Sequence, residues 1–328
     1  MTPIEVLIQQ LINGLMVGIL YSLVAVGFTL YFGVLDVINF AHGDVFMLGA
    51  FMALVLFSVF GALPFTWLVV LLLFVGSMIL TSIVGVVTER WCVKPVSQSP
   101  MLISLLVTLG LGIVIREAVR LFYPRGADPK FFPKLLPDGG FEIGNIFIRY
   151  DNIIIFLLGV GIIIVVNILI TRTRMGSAIR AVAQDREAAM MMGVDVDRTV
   201  DITFIIGSAL AAMAGVMYGF YYGQVMFNIG AMAGVIGFSA AVIGGLGNIY
   251  GAIVGGFLFG LIETLAAAIL PWLSLSLTSL ATNTVFAGFV SALPLGTENK
   301  RAIAFLVVIL FLVFKPTGIL GEKVFERV

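Results

Sequence analysis

The sequence predicts an all-α fold, a polytopic transmembrane helix bundle of about eight or nine spans. Apolar residues make up 61% of the 328 positions and charged residues only 11%, whereas a soluble domain carries about 25% charge. Several uncharged stretches reach the roughly 20 residues that a membrane-spanning helix needs. We therefore expect a single integral membrane domain, residues 1–328, embedded in a lipid bilayer.

Five spans are predicted in the first half of the chain. Each is a largely uncharged run of suitable length; in order they are Val6–Leu35, Val45–Phe60, Phe65–Val87, Met101–Phe122 and Asn152–Thr171. A polar loop rich in proline and glycine, residues 123–151, precedes the fifth span, and the charged segment, residues 172–201, follows it.

The second half is predicted to hold three further helices and a broken or re-entrant piece. The helices are Ile202–Tyr222, Tyr250–Leu270 and Ala302–Phe314, and residues 271–299 are predicted as a loop with short helices. The glycine-rich stretch between the first two helices predicts a short or broken span. A helix ending in LYFGVLDVINFAHGD is weakly echoed by a helix ending in YGFYYG before that stretch. An inverted repeat around a midplane site is one interpretation of the echo.

Charge placement favours an external N-terminus and a cytoplasmic C-terminus. The loop 123–151 and the charged segment are both basic, so the positive-inside rule alone does not decide. The decisive observation is that Met1–Glu5 has no basic side chain, whereas Glu89–Lys94 and the tail from Lys315 are basic. No cleavable signal peptide is expected, because the first basic residue is Arg90.

A short polar stretch, Asp36–Asp44, contains Asn39, the only histidine, His42, and Asp44 among apolar residues. The stretch has no Lys or Arg that could pair its acids, and ionisable groups at membrane depth are usually functional. Two interpretations stay open. Asp44 caps the helix that follows, or the stretch lines a cavity or gate of the substrate pathway. A metal site is not expected, nor is any cofactor bound by this chain.

Two further features are candidates for the substrate pathway. Gly244, Gly245 and Gly247 precede Asn248 and would weaken a helix by about 1 kcal/mol each. Broken helices at membrane depth line a cavity or lie buried in protein, so these glycines predict either a pathway bend or close packing. Glu263 is the lone acid of a long apolar region, and it lies at a helix end or is paired in the interior.

The most unusual stretch of the charged segment is DREAAMMMGVD, residues 185–195. Asp185 is a plausible N-cap of a short helix, and Gly193 fits the position after its end, where φ is positive. A face of alanines and adaptable methionines suits docking into a groove of a cytosolic partner. It also suits a helix that rests on the bundle or on lipid headgroups.

The motif Glu187-Ala188-Ala189, followed by Gly193 after three residues, resembles the EAA motif of ABC importer permeases. The chain is similar to the branched-chain amino acid permeases of the LivH type in four blocks between residues 18 and 321. These are GILYSLVAVGFTLYFGVLDVINFAHGD, MGSAIRAVAQDREAAMMMGV, AAVIGGLGNIYGAIVGG and KPTGILG. The chain departs from the family in residues 271–299, which are longer and richer in Ser and Thr than the family pattern.

The resemblance implies a complete import system in the bacterial inner membrane. A periplasmic binding protein would deliver a branched-chain amino acid to a pathway formed by this chain and a second permease subunit of the LivM type. Two cytoplasmic ATPase subunits would bind ATP and Mg²⁺ and dock on coupling helices. The loop of about residues 172–200 would be that coupling element, with Asp185, Glu187, Ala188, Ala189 and Gly193 at its core.

Other functions are disfavoured by residues that the chain lacks. No Lys follows a Gly, so there is no P-loop and the chain is not expected to be an enzyme. A formal net charge of zero gives no indication of nucleic acid as a partner. Two alternatives remain, a related permease for urea or short-chain amides and an ion-coupled secondary amino acid transporter that uses the buried acids. The docking motif favours the ABC importer over a secondary transporter or a channel.

Overall fold

The computed structural model describes residues 3–97, 99–279 and 296–321, and helices form most of that part of the chain. The helices are α1 Pro3–Leu35, α2 Ala41–Phe60, α3 Thr66–Thr88, α4 Met101–Phe122, α5 Tyr150–Arg172, α6 Arg174–Gln184, α7 Arg186–Met191, α8 Val196–Tyr222, α9 Ile229–Gly244, α10 Ile249–Ser279 and α11 Lys300–Phe314. A short π-helix and a 3₁₀-helix, Glu89–Val93 and Lys94–Val96, extend α3.

Seven helices of the described residues, α1 to α5, α8 and α10, are long and apolar enough to cross a bilayer. Helix α9 has 16 residues and α11 has 15. Each of these two rises only about 22–24 Å, which is less than the roughly 30 Å hydrocarbon core. The predicted all-α transmembrane bundle is confirmed. The predicted total of eight or nine spans requires that α9, α11 or both also cross the bilayer.

Helix α2 begins at Ala41 and α8 at Val196, before the predicted Val45 and Ile202, and the largest error in a predicted boundary is at the end of α10. Helix α10 continues through Pro271 to Ser279 instead of ending at Leu270, so the predicted loop 271–299 does not begin where we expected it. Proline is tolerated inside membrane helices because neighbouring groups satisfy the backbone that it leaves unpaired. Positions 280–295 of that predicted loop lie outside the described residues.

Small residues allow α1 and α10 to approach closely. A Cβ atom on Gly260 would lie 2.6 Å from the Cα of Gly18, and one on Gly256 would meet the Cα of Ser22. The hydroxyl of Ser22 donates across this contact to the carbonyl of Ile253 at 2.8 Å. Close backbone approach replaces the hydrophobic effect as the driving force for helix association in lipid, so these glycines have a packing role.

Helices α2 and α9 begin inside the bundle. The Nε2 atom of His42, in the first turn of α2, lies 3.2 Å from the carbonyl oxygen of Val24, which belongs to the middle of α1. The first turn of α9 reaches the same place, because a Cβ atom on Gly230 would meet the carboxylate of Asp44. The N-termini of both helices therefore meet in the interior of the protein.

From this meeting point the two helices run to opposite ends of the bundle. Helix α2 is parallel to α4, with the rings of Phe51 and Tyr123 5.1 Å apart, and leads away from the end that holds α6 and α7. Helix α9 is antiparallel to α10, with Gly244 packed on Gly251, and leads towards that end. The pairs α1–α2 and α8–α9 are thus two units of opposite direction, as expected for the inverted repeat that the sequence echo indicated.

The strands are short and lie between helices. Strands β2 Gly140–Ile143 and β3 Ile146–Arg149 form an antiparallel hairpin before α5. Strand β1 Lys130–Phe131 pairs with β4 Gln224–Val225, which follows α8. The predicted polar loop 123–151 therefore folds against the end of the bundle opposite α6 and α7.

Candidate functional site

Helix α7 begins and ends where the sequence predicts. The carboxylate of Asp185 accepts a hydrogen bond of 2.9 Å from a backbone N–H of the first turn, and Gly193 has φ +83°. The backbone N–H groups of Gly193 and Val194 donate to the carbonyls of Met190 and Ala189, both at 3.0 Å. These paired bonds are those of a Schellman motif, so the predicted capping roles of Asp185 and Gly193 are confirmed.

The motif residues of α7 divide between an inner and an outer face. Ala189 is buried against the bundle, whereas Glu187 is exposed and Ala188 is partly exposed. Met191 and Met192 are 83% and 84% exposed. A short helix that turns a carboxylate and flexible methionines to solvent offers a surface that can adapt to a partner.

Asp44 is paired, contrary to the sequence-based expectation. Arg116 of α4 donates to both carboxylate oxygens of Asp44, at 3.0 and 2.9 Å. The side chain of Asp44 is only 4% exposed and that of Arg116 is 24% exposed. The capping interpretation of Asp44 is also wrong, since Phe40 occupies the N-cap position of α2 and Asp44 lies inside the first turn.

Asn39 and His42 lie beside this ion pair and are buried. The Oδ1 atom of Asn39 accepts a hydrogen bond from the backbone N–H of Ala41 at 3.1 Å, which orders the first turn of α2. The ring of His42 makes edge contacts with Phe28 and Tyr31. Among the described residues, its Nδ1 atom has no hydrogen-bond partner. Three predicted site residues are thus brought together at the start of α2.

Glu263 is paired in the interior, which settles the alternative that the sequence left open. Its Oε1 atom accepts a hydrogen bond from Arg301 Nε at 3.1 Å and forms a salt bridge with Lys300 Nζ at 3.2 Å. Its Oε2 atom accepts from the hydroxyl of Tyr21 at 2.6 Å. The side chain of Glu263 is only 1% exposed, whereas those of Arg301 and Lys300 are 36% and 31% exposed.

A small cavity of about 50 Å³ is lined in part by Arg301. Its walls come from α1, α2, α8 and the first two turns of α9, so it lies at the junction of the two inverted units. Besides Arg301, the lining residues are Leu20, Tyr21, Val24, Phe46, Tyr218, Ile229, Met232, Ala233 and Ile236. Transporters built from inverted repeats place their substrate sites at such junctions.

Two larger grooves, of about 630 and 590 Å³, are lined almost wholly by apolar side chains of α2 and α4 and of α5 and α8. They lack charged groups that could recognise a zwitterion. Compared with these two grooves, the cavity beside Arg301 is the better candidate for substrate contact despite its smaller volume.

The bend formed by Gly244, Gly245 and Gly247 lies away from the cavity beside Arg301. Gly245 and Gly247 have φ +108° and +88°, so the predicted break between two helices is confirmed. The bend holds the tail after α11, because the backbone N–H of Leu320 donates to the carbonyl of Gly244 at 2.9 Å. The side-chain amide of Asn248 donates to the carbonyl of Leu320 at 3.0 Å. These glycines do not line the cavity beside Arg301.

The sequence profile of the family described as "Branched-chain amino acid transport system / permease component" matches residues 10–313. The chain belongs to this family. Within it, the chain is similar to the high-affinity branched-chain amino acid transport system permease protein BraD of Pseudomonas aeruginosa, at 36% identity over 98% of each chain. It is similar to the high-affinity branched-chain amino acid transport system permease protein LivH of Escherichia coli K12, at 34% identity over 98% of this chain and 97% of the relative.

More distant relatives of this permease family include the fructose import permease protein FruG of Bifidobacterium longum, 24% identical over 62% of this chain and 60% of the relative. No solved structure matches the chain. The near full-length similarity confirms the predicted resemblance to LivH-type permeases.

Sequence reasoning missed the partners of the two buried acids. Arg116 and Arg301 are 72 and 38 positions away from Asp44 and Glu263, and Tyr21 is 242 positions away from Glu263. The available signal was Arg116 itself, a basic residue inside an apolar span of this permease. A charge at membrane depth requires a counter-charge, and Asp44 was a candidate for it.

Proposed function

We propose that this chain is a membrane-spanning permease subunit of a binding-protein-dependent ABC importer that carries branched-chain amino acids across the bacterial inner membrane. One observation carries the proposal most directly. Helix α7 exposes Glu187 and the methionines after it while Ala189 anchors it to the bundle. A docking helix needs this arrangement, and the near relatives are named as permeases of such amino acids.

The partners follow from that role. Two cytoplasmic ATPase subunits would supply ATP hydrolysis, one of them docking on α7. A second permease subunit of the LivM type would complete the pathway, and a periplasmic binding protein would deliver the substrate. The charged segment would then be cytoplasmic, with the C-terminus on the same side and the N-terminus periplasmic. The abundance of arginine in that segment supports this orientation.

The ion-coupled alternative is less well supported by the buried acids. A proton or sodium site needs a carboxylate that is free to exchange its ion. Asp44 is held by Arg116 through two hydrogen bonds, and Glu263 is held by Arg301 and Lys300. Both carboxylates are therefore better suited to a fixed ion pair than to the exchange of a proton or sodium ion.

Replacing Glu187 by lysine is expected to weaken docking of the ATPase subunits. Reversal of an exposed charge at an interface costs about 2 kcal/mol, which is roughly thirtyfold in Kd. The membrane bundle should still fold, because the carboxylate of Glu187 lies outside it. The measurement is the amount of ATPase that co-purifies with tagged permease at increasing dilution.

The matched control is Glu142→Lys, which reverses an exposed carboxylate in strand β2 at the opposite end of the bundle. We expect this variant to retain its ATPases. Equal recovery of ATPase with the Glu187 variant and with wild type would argue that α7 rests on the membrane and does not dock.

A further inference from the structure

The ion cluster around Glu263 carries one positive charge in excess. A single carboxylate forms salt bridges with both Arg301 and Lys300. Among the side chains that the structure describes, no second acid contacts either cation, and none accepts a hydrogen bond from the Nη atoms of Arg301. A charged side chain at membrane depth that borders a cavity marks a substrate pathway. The excess charge therefore favours an anionic group on the substrate.

The rest of the cavity wall is suited to an aliphatic side chain. Ile229, Met232 and Ile236 present one face of α9, and Leu20 and Val24 of α1 oppose them. Aromatic rings of Phe46 and Tyr218, with centroids 5.5 Å apart, complete the wall, and such rings attract ammonium groups. The wall thus combines an anion-binding group, an apolar surface and π-systems.

The cavity is too small for an amino acid in this conformation. A volume of about 50 Å³ is room for one or two water molecules at roughly 30 Å³ each. The structure accordingly holds a closed form of the site, and substrate entry requires α9 or α11 to move away from α1. Gated closure around a midplane site is the expected behaviour of an alternating-access pathway.

Resting on the import function proposed above, we propose that Arg301 binds the α-carboxylate of an aliphatic amino acid in this cavity. The Nε atom of Arg301 is committed to Glu263, so Glu263 fixes the guanidinium plane and leaves the Nη atoms to meet the carboxylate. Guanidinium and carboxylate match in shape as well as charge. Urea and neutral amides lack this group, so the site distinguishes amino acids from both.

The test uses the complete transporter with a single reporter cysteine. This chain has one cysteine, Cys92, so the variant Cys92→Ser/Ala233→Cys places the chain's only thiol in the cavity wall, and labelling is read on this subunit after it is separated from its partners. A small thiol reagent is applied during ATP turnover, with L-leucine or leucinamide as protectant. We expect leucine to slow labelling at least tenfold and leucinamide to have little effect, because leucinamide lacks the carboxylate.

Arg301→Gln in the same background should abolish protection by leucine. Lys300→Gln is the matched control, because it removes a positive charge from the same carboxylate but does not border the cavity. We expect it to keep most of the protection. Loss of protection in both variants would assign Arg301 a structural role and overturn the proposal. Equal protection by leucine and leucinamide, or no labelling of the cysteine during turnover, would also overturn it.

ATP-driven leucine uptake measured on the same preparation separates this inference from the proposed function. Protection by leucine without ATP-driven uptake would leave the carboxylate site standing and contradict the importer. Uptake without selective protection would leave the importer standing and contradict the site.

Discussion

Replacing Glu263 by alanine is expected to destabilise the folded protein by about 3–5 kcal/mol. The change removes the only described carboxylate that faces Arg301 and Lys300 and leaves the buried hydroxyl of Tyr21 without its acceptor. Removing one partner of a buried ion pair is costly because the remaining charge stays desolvated. Two measurements check this expectation: equilibrium unfolding in mixed micelles, and the yield of monodisperse protein after purification.

Glu263→Gln separates the charge from the shape. It keeps an acceptor for Tyr21 and fills the same volume, but it cannot neutralise the two cations. We expect the free energy of unfolding of this variant to lie between those of wild type and Glu263→Ala. Wild-type stability of both variants would mean that the cluster is solvated in the membrane and does not hold α1, α10 and α11 together.

Replacing Asp44 by alanine is expected to cost a similar amount, about 3–5 kcal/mol. The guanidinium of Arg116 would lose both of its hydrogen bonds to Asp44. It would also face the N-termini of α2 and α9, whose dipoles favour an anion and repel a cation. The resulting variant should unfold at lower denaturant and lose transport.

The matched control for this change is Glu117→Ala. Glu117 and Arg120 form an ion pair on the same helix, with side chains that are 39% and 43% exposed. Exposed pairs contribute about 0–1 kcal/mol, so this variant should behave like wild type. Comparable losses at Glu117 and Asp44 would contradict the role of Asp44 as a buried counter-ion.

The sequence predicted most of the helices because their signal is local. Largely uncharged runs of sufficient length predict α1, α3, α4 and α5 within three residues of their bounds, whereas α8 begins at Val196, before the predicted Ile202. The ends of α7 could also be predicted, since an N-cap aspartate and a C′ glycine are one-residue signals. The end of helix α10 was predicted wrongly, because proline usually ends a helix in a soluble protein. In a membrane protein, neighbouring groups satisfy the backbone group that proline leaves unpaired, so the helix can continue.

The candidate site could be predicted only in part because its chemistry depends on pairs. Asp44 and Glu263 were identified from their rarity in apolar sequence, but nothing local shows which cation neutralises each. Their partners come from α4 and α11, and the packing of α2 on α4 and of α10 on α11 brings each pair together. The glycine bend was predicted as a break, but its contact with the tail around Leu320 depends on tertiary structure.

The central claim is that this chain forms the pathway of an ATP-driven importer. The most direct measurement is uptake of labelled leucine into proteoliposomes that hold the chain with its partner subunits. We predict uptake that requires ATP and the binding protein, survives ionophores, and is strongly reduced by Glu187→Lys. Uptake driven by an imposed ion gradient without ATP would contradict the claim.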